Sequence, residues 1–297
     1  MLKVKTYTEL GTRTKFVVGY FVCLYIMICV NCNPHSETTL DASTMVAKNI
    51  IDDLSNGKTV IVKNKTIKGV LDFTKVYSQK QLGKVYIEPS IGFINCTFED
   101  SVFSVINNWK CVFNKKVIFN DCKFQTGICF QNVDFKDEFS MDLSKIEGIA
   151  RFDGAVFRSK ASFNSVNFLE MATFSNVVFS LETSFYKSLF KKDCIFHFAR
   201  FNNFARFIES YFYGYTDFSQ IFSSSILDFT ASKFNGETIM SYSTFLCDVI
   251  FSNCRFKQNP ELQENTVLGE ISFKGVEGII PDITNNKMFN QLKFCKK

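Results

Sequence analysis

From Ala150 to Phe168 the chain reads ARFDGAVFRSKASFNSVNF, and its four phenylalanines, Phe152, Phe157, Phe163 and Phe168, stand five, six and five residues apart. The same alternation runs from Phe113 to Phe256 through 27 positions. Of these, 23 are Phe and the others are Met141, Ile146, Ser223 and Met240. With 36 Phe among 297 residues, chance would fill about three of the 27. Two residues before each position lies a second column, which is Ala, Ser, Thr, Cys or Val at 23 of 27 places and is never charged.

A helix would need apolar spacings of three and four, and an ordinary strand would need strict alternation. Large residues every five or six positions, each with a small one two before it, describe short extended segments that point two side chains inward and then turn. Four such steps close one coil and bring Phe174 over Phe152. Successive coils stack, so that Phe152, Phe174, Phe196 and Phe218 share one face while Phe163, Phe185, Phe207 and Phe229 share another. One coil cannot bury its rings alone but can against its neighbours, which is the logic of a solenoid.

The segment from Ala150 to Phe168 resembles the Phe-centred pentapeptide-repeat proteins. The resemblance implies an all-β, right-handed quadrilateral β-helix with the central Phe and the small residue two before it pointing inward. It covers residues 91–256 strongly. The strand-like stretch KTVIVKNKTIKGVLDFT from Lys58 supplies first irregular coils over 58–90, with Tyr77 to Gly83 as an exposed loop. The pattern departs from strict form at Asn108 and Trp109 and at Phe222, one residue early, which predicts local bulges or wider corners there.

The flanks predict further pieces. A linker and a capping helix occupy 33–57, with Ser43 or Thr44 as cap, a stripe of Met45, Val46, Ile50, Ile51 and Leu54, and Gly57 as stop. A region over 257–297 reads as an irregular coil followed by a short helix containing Met288, Phe289, Leu292 and Phe294, closing the other end as a C-terminal cap. Covers are needed because open strand edges recruit other chains, and end-to-end pairing into a homodimer is the corresponding expectation if they fail.

Residues 1–32 are expected to direct export. Phe16 to Val30 is an unbroken apolar run that follows Lys3, Lys5, Arg13 and Lys15, and the next Lys is Lys48. Its length suits a signal-peptide core or a membrane anchor with a cytoplasmic N-terminus. Cys32 is the alternative, a lipidation site, although Asn31 is a poor residue to precede it. In layout the block leading into FINCTF (Phe93 to Phe98) resembles exported pentapeptide-repeat proteins of Gram-negative bacteria such as the Bacteroidetes.

Of the 11 cysteines, Cys96, Cys111, Cys122, Cys194 and Cys254 fall in the small inward column, where a thiol packs as a small apolar group. Cys295 is expected to be an exposed thiol. No metal-ligand spacing appears in the repeat, so no metal or other cofactor is expected. The repeat is almost neutral, with 16 Lys+Arg and 17 Asp+Glu over 91–256, which neither attracts nucleic acid nor imitates it.

There are two histidines, His35 in the link after the apolar run and His197, an outward residue with no acid–nucleophile pattern nearby, and no catalytic motif is present, so the chain reads as a non-enzyme. The surface feature that stands out is a run of outward aromatics and cations: Tyr186, Phe198, Arg200, Phe204, Arg206, Tyr211, Tyr213 and Tyr215, with Lys191 and Lys192 among them. Such groups bind a protein or a polysaccharide. The expectation is an exported, non-enzymatic solenoid acting as a structural or protein-interaction module at the bacterial cell envelope. It would touch the membrane through its N-terminus and take a protein or envelope polysaccharide as partner. The alternatives are a DNA-mimicking protein similar to those that protect gyrase, or a β-helical carbohydrate-active protein.

Overall fold

The computed structural model describes residues 42–289 apart from 78, 79, 82, 107 and 108. The apolar run at 16–30, Cys32 and Cys295 lie outside the described residues, as does the expected C-terminal helix beyond 289. Among the described residues no helix is long and apolar enough to cross a membrane.

The chain winds through about eleven coils, and each regular coil lays one short strand on each of four sheets whose neighbouring coils pair in parallel. We number the faces in the order in which the chain visits them from Val60 onward. Face I runs from Val60–Lys63 to Ile271–Ser272, and face II from Thr44–Val46 to Glu277–Gly278. Face III runs from Leu71–Asp72 to Thr238–Ile239, and face IV from Lys84–Ile87 to Lys287–Met288. The register advances by one full coil at each pairing, as from Phe168 to Phe190 to Phe212 on face II. All 27 large positions and all 27 small ones are at most 3% exposed. Rings of successive coils stack almost flat, with centroids 4.6 to 5.4 Å apart between Phe152 and Phe218. Rings on opposite faces meet edge-on across the core, as Phe163 meets Phe174 at 88°, and so do rings on neighbouring faces, as Phe168 meets Phe174 at 87°. Both arrangements suit the aromatic quadrupole.

The alternation of five and six has a backbone cause. The five-residue steps turn at the corner between faces I and II and at the corner between III and IV, each through a left-handed residue. The first corner carries Asp121, Leu143, Ser165, Lys187, Glu209, Ala231 and Asn253, and the second carries Asn132, Asn176, Phe198, Gln220, Tyr242 and Glu264. The carbonyl of the inward residue accepts the N–H three residues on, as Phe174 does from Val177 (3.3 Å) and Phe196 from Ala199 (2.9 Å). That is a four-residue turn with its third residue at positive φ, which Gly and Asn adopt most easily.

The small column of face II does more than fit. Ser144 Oγ donates to the Phe119 carbonyl (2.5 Å) and accepts the N–H of Cys122 (2.9 Å). Ser188 repeats this with Phe163 and Val166, and Ser210 Oγ donates to Phe185 (2.6 Å). The Cys254 thiol substitutes for a hydroxyl, donating to Phe229 (2.8 Å). These buried hydroxyls satisfy corner groups that would otherwise be costly.

Several expectations are corrected. No bulge accompanies Phe222. Arg200 pairs with Phe222 and Phe201 with Ser223, then Phe222 with Thr244 and Ser223 with Phe245, so the register is unbroken. A one-residue slip would turn every later side chain over, so the chain instead buries Ser223 in a ring position and leaves Phe222 outside. Ile221, two residues before it in the small column, is 2% exposed and larger than the Ala, Ser, Thr, Cys or Val usual there.

The wider corner at Trp109 is a hairpin, in which Val105–Ile106 runs antiparallel to Trp109–Phe113. The preceding coil inserts Phe73–Lys75 and a strand, Lys80–Gln81, antiparallel to Lys84–Ile87, so part of the expected loop is paired. Both insertions fall between faces III and IV. They make the first two coils, Val60 to Ile91 and Ile91 to Val117, longer than the regular one from Val117 to Phe139 that follows.

The helix is Ala47–Ser55, shorter than expected at its start. Thr44–Val46 instead pairs with Thr66–Lys68 on face II, so neither Ser43 nor Thr44 caps it, and Val46 stands at the cap without a side-chain bond. It buries Ala47, Ile50, Ile51 and Leu54, and Gly57 ends it at φ 74°. Beyond Phe256 the ladders continue where an irregular cap was expected: Arg255 pairs with Glu277 and Thr266 with Lys287, which puts Met288 in a strand.

Candidate interaction surface

The eight outward residues singled out from sequence occupy all four sides of the solenoid. Tyr186 lies at the corner between faces I and II, half-buried, its hydroxyl donating to Glu209 (3.2 Å). Phe198 lies at the III/IV corner in the left-handed position, 45% exposed. Arg200 is on face IV, its guanidinium 5.0 Å from the Phe222 ring centroid. Phe204, at the IV/I corner, is covered by Arg206 of face I at 4.4 Å, and Arg206 also pairs with Glu182. These two line an open depression of about 480 Å³ with Glu182, Asn203, Ser225 and Ile226. The cation there is already neutralised by its own neighbour.

Tyr211, Tyr213 and Tyr215 do come together, along face II and its corner with face III. Tyr211 is a Cα partner of Lys233, whose ammonium sits 5.0 Å from its ring centroid, and Lys233 is a partner of Arg255. Tyr213 is 49% exposed and stacks in a column with Lys191 before it and Asn235 and Lys257 after it, their N–H groups bonding Phe190, Phe168, Phe212 and Phe234. Lys192 follows at the corner. Beside Tyr213, Gly214 and Gly236 approach so closely that a Cβ on Gly236 would lie 2.1 Å from the Gly214 carbonyl oxygen. Tyr215 is half-buried, and burial followed by the nearby Asp217 carboxylate pushes its hydroxyl up to about 12. Lys233, Arg255 and Lys257 belong to this cluster but were not in the sequence selection. They lie one and two coils further along the chain than the tyrosines, and the coil period was the signal that could have found them.

A family model described as pentapeptide repeats (9 copies) matches residues 142–189, inside the regular ladder of coils. That segment is built of pentapeptide repeats. No curated protein and no solved structure matches it.

The pentapeptide coils create one polar constellation that the sequence hid. His197 Nδ1 lies 2.8 Å from Ser219 Oγ and 3.8 Å from Asp217, neighbours supplied by the next coil. The Ser219 hydroxyl donates to Asp217 (2.5 Å), so His197 meets the oxygen and not the proton. A nucleophile needs its proton directed at the base. Thr230 makes the same bonds to Asp228 (2.6 and 2.9 Å) with no histidine near, which marks a turn motif of the pentapeptide corner. Among the described residues no group of three or more His, Cys, Asp or Glu could hold a metal.

Inside the pentapeptide columns, burial pushes the Cys194 thiol well up and the Cys254 thiol to about 12, as suits packing residues. The inward Cys96, Cys122, Cys194 and Cys254 are free thiols, as packing residues should be, whereas Cys247, which stands outside both inward columns, is disulfide-bonded.

Proposed function

We propose that this pentapeptide-repeat solenoid is a non-enzymatic structural or interaction module exported to the bacterial envelope. One observation carries the reading: every inward position of the repeat is filled with close-packed rings and small residues, so recognition is left to the outward columns. The apolar run Phe16 to Val30 with its basic flank supports export. The disulfide of Cys247 supports it as well, because such bonds persist in oxidising compartments. The cations of face II oppose the DNA-mimicking reading, which needs an acidic face.

The test is fractionation of the source cell with thiol alkylation before lysis. Recovery in the envelope, with Cys247 alkylated only after reduction, is the expected result. Recovery in the cytosol with a reduced Cys247 overturns it.

A further inference from the structure

We infer that the later half of face II, from Leu189 to Lys257, is a docking strip for an acidic polysaccharide. This rests on the reading of the protein as an exported interaction module and adds the chemistry of its partner.

Lys191, Lys192, Lys233, Arg255 and Lys257 are all exposed, and none makes an ion pair with a described residue. The acids beside them are fewer. Asp193 and Glu237 lie at the edge towards face III, where Asp193 accepts the Tyr215 N–H (3.1 Å), and Glu277 is the Cα partner of Arg255. An excess of unpaired cations on one flat strip attracts a polyanion.

The strip also selects the shape of that polyanion. It runs along the solenoid axis, where columns repeat at about 4.8 Å per coil. Lys233 and Arg255 stand one coil apart and Lys191 and Lys257 three, so matching negative charges must recur along a straight chain. Tyr213 offers an uncovered ring and hydroxyl between Lys191 and Asn235, suited to the C–H face and hydroxyls of a sugar ring. A uronate polymer supplies carboxylates, hydroxyls and flat rings in one linear molecule. A protein partner would need a central apolar pocket sealed from water, which two tyrosines among cations do not form. Single-stranded nucleic acid meets the same groups but belongs to the other compartment.

The experiment is calorimetric titration of the full-length protein, purified in detergent, with polygalacturonate, uncharged dextran and oligo-dT. Expected are binding of polygalacturonate that weakens with salt and no binding of dextran. In Lys233→Gln/Arg255→Gln/Lys257→Gln the affinity should fall at least about tenfold. The charge-preserving Lys233→Arg/Lys257→Arg should retain it, and Lys123→Gln/Lys145→Gln, on the earlier half of the same face, should leave it unchanged. Unaltered thermal melting of each variant secures the comparison. Absence of polygalacturonate binding, binding unaffected by the triple change, or tighter binding of oligo-dT overturns the inference. These readouts come from purified protein, so they fail or hold independently of the fractionation that tests export.

Discussion

Face II carries lysines in both halves of its length and treats them oppositely. In the earlier half, Lys123 and Lys145 are successive Cα partners, and both reach Glu147, at 3.2 and 2.6 Å. In the later half, Lys233 and Arg255 occupy the same column, and in their coils Asn235 and Lys257 stand where Glu147 stands beside Lys145. The backbone register beneath is the same, one coil per pairing, and the inward residues of the face are buried in both halves. Fold and recognition are therefore written in separate columns. The inward ones are fixed by packing, and the outward ones vary without disturbing it.

The strongest way to break this comparison is to attack the shared core. Phe163→Ala and Phe207→Ala remove rings at equivalent positions of face I, one nearer each half. Each should cost about 3–5 kcal/mol. Chemical denaturation followed by circular dichroism should give similar losses, and a loss confined to one half would mean that the two do not share one packing scheme.

A smaller effect tests whether inward volume alone sets the register. Ser223→Phe restores a ring at a position where Phe201 and Phe245 flank it, but in a coil whose small column already carries the bulkier, buried Ile221. The single change should destabilise by about 1–3 kcal/mol through overpacking. Adding Ile221→Ala should recover most of that, a non-additive result visible in the same denaturation curves.

This pair shows where sequence sufficed and where it did not. The inward ring column was legible because each of its positions asks only for a volume, and 23 phenylalanines at a fixed spacing supply it, whereas the hydroxyl bonds of the small column on face II left no mark in the string. Phe222 looked like a slip because a string shows the nearest Phe, whereas the ladder enforces the register and tolerates Ser223. The start of the helix was misjudged because Thr44 to Val46 finds its partner a full coil away, at Thr66 to Lys68. The two insertions were half visible, since a hairpin such as Val105–Ile106 against Trp109–Phe113 breaks the count without announcing its pairing. The aromatic run was legible as residues and illegible as a site, because neighbours along the chain turn onto different faces while residues one coil apart become adjacent.

The corners give a milder test. Phe198 holds a left-handed conformation at φ 58° with a bulky side chain, where Asn132, Gly154 and Asn176 precede it in the same ladder. Phe198→Gly removes a backbone penalty of about 1–2 kcal/mol, partly offset by the greater freedom of Gly in the unfolded chain. A net gain of up to about 1 kcal/mol is expected, read as a higher denaturation midpoint. A loss would mean that the ring makes a stabilising contact, for which His197, 4.1 Å away centroid to centroid, is the nearest aromatic candidate.

The smallest change in stability should have the sharpest consequence for the comparison. Hydrogen bonding from Lys145, and then from Lys123, outweighs partial burial and holds the Glu147 carboxyl below its ordinary value. A carboxyl depressed in the folded state lends stability above its unfolded pKa and loses it as pH falls through the folded one. The ion pairs lie at the surface and Glu147 is partly exposed, so that contribution is slight. Glu147→Gln at neutral pH should therefore leave the melting curve almost unmoved while releasing two lysines one coil apart, the spacing that Lys233 and Arg255 have. If charge in the outward columns is what distinguishes the halves, dextran sulfate, which keeps its charge in acid, should bind this variant more tightly than the parent at neutral pH. The parent should gain the same affinity only as pH drops below the Glu147 pKa. If Glu147→Gln gains nothing, free cations in register are insufficient, and the tyrosines of the later half become the element that decides binding.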